Sequence, residues 1–186
     1  MTGPQDSGEP VNHVLPTWDL ITGQMVAVGL LAAERHRSRT GEGQHVKLAL
    51  QDVGLAVMGH LGFIAEARQG QPRQRHGNEL FGAFGRDFRC ADGARVMVVG
   101  LTGKQWRSIC NATDTGAQMD ALGGRLGLEL AREGDRFQAR REIGDIVGDW
   151  IARRSFAEVA AAFKHHGVCW SRYQNVAELV RDDPEC

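Results

Sequence analysis

One carboxylate stands just ahead of a long apolar run in "VLPTWDLITGQMVAVGLLAAERHR". Asp19 precedes residues 25–33, none of which has a polar side chain. An acid at that place has two possible uses. It can cap a helix: Asp is among the best residues at an N-terminus, and a cap contributes about 1 kcal/mol. It can also be held for chemistry. The unpaired N–H groups and positive dipole end of a helix favour an ionised carboxylate. The same N–H groups can stabilise an oxyanion as it develops. Local sequence alone makes the cap the simpler reading and leaves the chemical one open.

Few other residues are candidates. Asn12 and His13 precede the acid in "VNHVLP" and could contact a substrate carboxylate, or form a polar loop. Gly23 and Gly29 follow it, where small residues permit either helix packing or close approach of a ligand. "RQGQPRQRHGN" carries Arg68, Arg73, Arg75 and His76; such a charge run is usually a solvated loop, with phosphate contact the alternative. In "ELFGAFG", Phe81, Phe84, Gly82 and Gly85 could edge a pocket. His165, His166 and Cys169 invite a metal, but no fourth ligand is spaced near them and Gly167 intervenes, so no metal site is expected. Met58, Met97 and the tryptophans read as core.

These residues need elements to hold them. Residues 1–16 read as coil, with Pro4, Pro10 and Pro16. A helix is predicted from about Trp18 to Arg37, with a cationic end that suits the helix dipole. "QHVKLAL" alternates like a strand, and "QDVGLAVMGHLGFIAEARQG" returns to helical spacing with Gly54, Gly59 and Gly62 inside it. Two strands follow in "RDFRCADGARVMVVGL", joined at "ADG". Thr102 is the predicted cap of the next helix. Ile143, Ile146, Val147, Trp150 and Ile151 make the stripe of an amphipathic helix. Ser155 and Glu158 form a capping box for another, which stops at Gly167. "VCWSRYQNV" is a short strand or extended loop, and "AELVRDD" a last helix.

The whole-chain quantities bound the function. With 186 residues, 42% hydrophobic and 24% charged, the chain can bury a core. Its net charge of −1 argues against a nucleic-acid partner held by bulk phosphate attraction. No apolar run is long enough for a membrane span, and "MTGPQDSGEP" has no signal-peptide character. Cys90, Cys110, Cys169 and Cys186 are scattered and read as reduced thiols of a cytoplasmic protein. The greasy helix is apolar on every side and wants partners on every side, so another subunit or more chain is expected to cover it.

Taken in order, "D-x-x-x-G-x-x-x-x-x-G-L-L-A-A", "RTGEGQHVKLALQD", the Pro/Arg/Gly linker, "ADGARVMVVGLTGKQWRSIC" and "FKHHGVCWSRYQNVAELVRDDPE" resemble the class III (CaiB/BaiF, formyl-CoA transferase-like) CoA-transferases. "EPVNHVLPTWDL" is further similar to the branch that includes 2-methylfumaryl-CoA (mesaconyl-CoA) isomerases. The resemblance implies an α/β fold, here an α+β fragment. Residues 1–70 would be a segment of a large Rossmann-like domain carrying the helix with Asp19. Residues 71–80 would be a linker, and 81–186 a small α+β domain truncated before its return to the large one. Members are about twice this length and form two interlocked chains, so a fragment lacking the N-terminal half of an interlocked homodimer is expected.

The family's nucleophile is an Asp at the position of Asp19. The resemblance therefore implies transfer of CoA between carboxylates through an aspartyl anhydride and an aspartyl-CoA thioester, in the isomerase branch within one molecule. Coenzyme A would be a substrate, with no permanently bound cofactor, and the partners would be acyl-CoA and carboxylic acids. Asn12, His13, Gly23, Gly82 and Gly85 are the expected substrate- or CoA-binding positions. Where the family often has Pro, this chain has Cys169. Two alternatives remain: an acyl-CoA racemase of the same superfamily, with the Asp as base at the α-carbon, or an inactive structural half.

Overall fold

The computed structural model describes residues 3–12 and 14–183. The chain divides into two compact units, Met1–Arg75 and His76–Cys186.

The first unit is built on a long helix, α1 (Thr17–Thr40). It begins where Pro16 fixes the backbone and supplies no N–H, and it ends at Gly41, whose φ of 78° only glycine adopts readily. Arg37 and Arg39 lie in its last turn, against the negative dipole end. None of its residues is buried: Val28, Leu30 and Leu31 are more than half exposed. The apolar surface read from the sequence is thus uncovered within this unit.

The predicted strand at 44–50 is not a strand. Residues 42–49 are irregular and make no ladder pairing, because no described neighbouring strand offers the alternate N–H and C=O groups a sheet requires. The segment runs beside α1 instead, with Val46 3.7 Å from the place a Cβ on Gly29 would take. The single helix expected after it is two: α2 (Leu50–His60) and α3 (Phe63–Arg68). Gly62 separates them at φ 85°. Arg73 then ties the returning loop down. It donates to both oxygens of Glu66 (3.1 and 2.5 Å) and to Leu61 O (3.0 Å), and it lies over the Phe63 ring. Arg75 donates to Ser7 O and Glu9 O, which fastens the N-terminal coil. Arg73 and Arg75 of the basic loop are thus structural ties here.

The second unit is α+β. Strands β1 (Phe84–Arg89), β2 (Arg95–Gly100) and β3 (Cys169–Arg172) form one antiparallel sheet in the order β1-β2-β3. Phe88 pairs with Val96, and Val98 with Trp170. The β1–β2 turn falls at "ADG", where Gly93 has φ 87°. Helices α4 (Gly103–Thr113), α7 (Arg140–Ala152) and α8 (Phe156–His166) supply most of the remaining core. Phe84, Val96, Val98, Ile109, Ile143, Val147, Ile151, Val159 and Phe163 are fully buried in it. Of the predicted stripe, Ile146 and Trp150 sit at the margin, Trp150 stacked on Phe163 at 5.9 Å. The capping boxes at Thr102 and Ser155 form, and Gly167 ends α8 at φ 65°. A third box, Asn175 with Glu178, starts α9 (Val176–Asp182).

Helix α5 (Gly116–Leu126) has no counterpart in the sequence reading, and α6 (Glu133–Gln138) is a separate short helix where one continuous helix from Arg136 into α7 is expected. Four glycines lie in and around α5, and they mask its helical periodicity. A wholly buried Arg136 on α6 ties this region together. Its guanidinium donates to Gly100 O, Leu101 O, Leu130 O and Ala131 O at 2.6–3.2 Å. Among the described residues no helix is long and apolar enough to cross a membrane.

Candidate functional site

Asp19 is the third residue of α1, so it lies within the first turn and does not cap it. The capping position is Pro16, which has no side-chain acceptor. The consequence is visible in the backbone. Thr17 N–H reaches Leu15 O at 2.8 Å, and Leu20 N–H is the first to close onto Pro16 O, at 3.1 Å. Between them, the N–H groups of Trp18 and Asp19 have no acceptor among the described residues. Asp19 itself is exposed, and its carboxylate accepts no hydrogen bond and forms no ion pair among those residues. An acid and two open donors therefore occupy one helix end, which suits an anion or a developing oxyanion.

Trp18 fixes the position of that end. Its ring lies 3.9 Å from where a Cβ on Gly54 of α2 would stand. One turn further along α1 is a residue that the sequence reading passed over. The Thr22 side chain is half-buried, with its hydroxyl oxygen shielded from solvent and making no hydrogen bond among the described residues. Its spacing of three from Asp19 was the available signal, since residues three apart share a helix face.

The other predicted positions separate. Asn12 is exposed, and His13 lies outside the described residues. Gly23 has no described atom within 4 Å of a built Cβ, so that flank of α1 is open. Farther along α1, Met25, Val26, Leu30, Val46 and Leu48 line an apolar cleft of about 490 Å³. Gly82 and Gly85 belong to the second unit. Gly82 makes a turn at φ 85° with no described atom within 4 Å of a built Cβ. Gly85 is buried in β1, where a Cβ would stand 3.0 Å from that of Leu80. Beside them is an aromatic group that the sequence did not connect. Phe81 and Phe137 meet edge to face at 5.2 Å, with His76 5.5 Å from Phe81 and 5.4 Å from Phe137. Arg140 lies over Phe137 and donates to Glu79 at 2.9 Å.

Rival chemistry is weakly supported. Burial pushes the Cys110 thiol up to about 11, with Asp120 adding to it, and burial raises Cys90 too. Neither is a ready thiolate at neutral pH. Among the described residues no three His, Cys, Asp or Glu side chains are placed to hold a metal ion.

The chain is similar to known proteins along nearly its whole length. The family model described as CoA-transferase family III matches residues 1–185. The chain is 56% identical over 187 residues to a 2-methylfumaryl-CoA isomerase of Chloroflexus aurantiacus, covering 100% of this chain and 46% of the relative. It is 33% identical over 181 residues to a succinyl-CoA:mesaconate CoA-transferase of Haloarcula hispanica, covering 97% of this chain and 43% of that one. The chain thus spans about half the length of these curated relatives. A crystal structure of a CaiB/BaiF family protein from Brucella suis superposes with a TM-score of 0.68 at 20% identity, covering 98% of this chain and 46% of that one. The fold is that of these proteins.

Proposed function

Because this chain belongs to CoA-transferase family III, we propose that it carries the nucleophile of an enzyme that moves CoA between carboxylates, and that Asp19 is that nucleophile. The observation that carries the reading is the first turn of α1: an exposed carboxylate beside the open N–H groups of Trp18 and Asp19.

The chemistry follows from that arrangement. An Asp19 oxygen attacks the thioester carbonyl of an acyl-CoA, and the C–S bond breaks. A mixed anhydride forms and CoA leaves as thiolate. The thiolate attacks the Asp19 carbonyl, which frees the original acid and leaves an aspartyl-CoA thioester. An acceptor carboxylate attacks that thioester and expels the thiolate, which finally attacks the acceptor's carbonyl. Asp19 is regenerated as carboxylate. Each step exchanges one anion for another, so no proton need move. Covalent catalysis of this kind divides one hard exchange into easier ones. Each tetrahedral intermediate puts charge on a carbonyl oxygen, and open N–H donors at a helix end suit that charge.

The relative at 56% identity supports an intramolecular version, in which donor and acceptor carboxyls belong to one unsaturated diacid. CoA is then a substrate carried through the cycle. We assign the first unit to the large domain and the second to the small domain of an interlocked homodimer. The uncovered apolar surface of α1 supports a partner there.

The test is turnover of the complete enzyme. With the C1 thioester of mesaconyl-CoA, the C4 thioester is expected without any added acid, and a strict need for added acid would exclude the intramolecular version. Asp19→Ala and Asp19→Asn should each lower kcat by about a thousandfold or more. Normal turnover by Asp19→Ala would refute the nucleophile. Wash-in of solvent deuterium at the α-carbon would favour a racemase instead.

A further inference from the structure

We infer that Thr22 is a positioning residue for Asp19; the inference rests on the nucleophile reading above. Six threonines are described, and five of them engage their hydroxyls. Thr17 and Thr40 donate to Leu15 O and His36 O. Thr102 accepts from Gln105 N. Thr113 donates to Ile109 O, and it shares a hydrogen bond with Thr115. Thr22 is the exception: its Oγ1 is shielded from solvent and bonded to nothing among the described residues.

A threonine within a helix has an easy remedy for this, the carbonyl four residues back. Thr40 uses it in the same helix. Thr22 does not use Trp18 O. A buried hydroxyl without a partner is a standing cost, and native structures rarely keep one without a use.

Helix geometry supplies the use. Side chains lean toward the N-terminus, so the side chain at position 22 overlies the turn that carries residues 18 and 19. Asp19 is the residue three before it, and its carboxylate has no described hydrogen-bond partner. Residues three apart on a helix surface are neighbours, so a change of χ1 rotamer turns either side chain toward the other. The Thr22 hydroxyl then holds one Asp19 oxygen by a hydrogen bond and aims the other at the thioester carbon. Such a bond, made when substrate is seated, is worth more in the reacting complex than in the free enzyme.

The experiment uses the complete enzyme with the C1 thioester of mesaconyl-CoA. Thr22→Val keeps the shape and removes the hydroxyl; Thr22→Ser keeps the hydroxyl. Removing an unbonded buried hydroxyl should leave the Tm of Thr22→Val equal to or above that of the unaltered enzyme, which separates function from folding. The expected result is a kcat lower by about tenfold for Thr22→Val, with KM within about twofold, and recovery to within about threefold in Thr22→Ser. Unchanged kcat in Thr22→Val would overturn the inference. So would an equal loss in Thr22→Ser, because the hydroxyl would then not be the active feature. Asp19→Ala, run beside them, separates the two readings. Its inactivity with full activity of Thr22→Val rejects Thr22 alone, whereas its activity rejects the nucleophile.

Discussion

The indole of Trp18 lies against the backbone of Gly54: a Cβ added there would stand 3.9 Å from ring atoms Cδ2 and Cε3. That contact joins the start of α1 to the middle of α2, one residue from Asp19. The glycine's helical cost is thus offset by a flat surface for a large ring.

The contact has room for one carbon and little more. Gly54→Ala should stabilise the protein by about 0.5–1 kcal/mol, because 3.9 Å is ordinary van der Waals contact and Ala suits a helix better. Gly54→Leu should displace Trp18 and cost about 1–3 kcal/mol. Thermal unfolding of both variants tests this. The leucine variant should also lose activity, since the helix end moves with Trp18.

Arg136 is a buried cation held by four carbonyl oxygens. Arg136→Met should fill similar space yet leave those acceptors without their donor. A loss of about 3 kcal/mol or more is expected, because each stranded buried acceptor costs about 1–3 kcal/mol. Arg136→Lys should recover only part, since three donors on one nitrogen cannot match the guanidinium fork. Urea denaturation followed by tryptophan fluorescence reads this directly, because Trp106 lies beside the guanidinium.

Acid should weaken the second unit through Asp87. Burial works against its ionised form, but hydrogen bonds from Arg95 and Asn78 outweigh that and hold the carboxyl below its usual range. A carboxyl lowered on folding stabilises fully above its unfolded value, and that stability is lost as pH falls through the folded value. The Tm should therefore fall below about pH 4, and Asp87→Asn should lie lower at pH 7 with a flatter profile. Equal slopes in the two proteins over pH 3–6 would exclude Asp87 as the group responsible.

Much of the second unit was legible because its signals are local. Thr102 as a cap and Ser155 with Glu158 as a capping box are decided within four residues, and Gly93 and Gly167 mark a turn and a helix end by backbone freedom alone. The stripe from Ile143 to Ile151 declares its buried face by period. What failed was what depends on a neighbour. "QHVKLAL" alternates as a strand does, yet no described strand pairs with it. The helix predicted after it breaks at Gly62, where the chain turns so that Arg73 can reach Glu66 and Leu61.

By itself the sequence determined that an acid precedes an apolar helix, which caps and turns bound the later elements, and which family the order of motifs resembles. These are properties of residue type and spacing along one chain. Only the tertiary structure decided that Asp19 sits inside the first turn, with Pro16 in the capping place and two amide donors left open. It alone showed that Thr22 keeps a hydroxyl one turn away with no partner among the described residues, and that Arg136 is buried among carbonyls. Each of these depends on where backbone donors and acceptors find partners in space, and hydrogen-bond satisfaction across a fold has no period that a linear sequence displays.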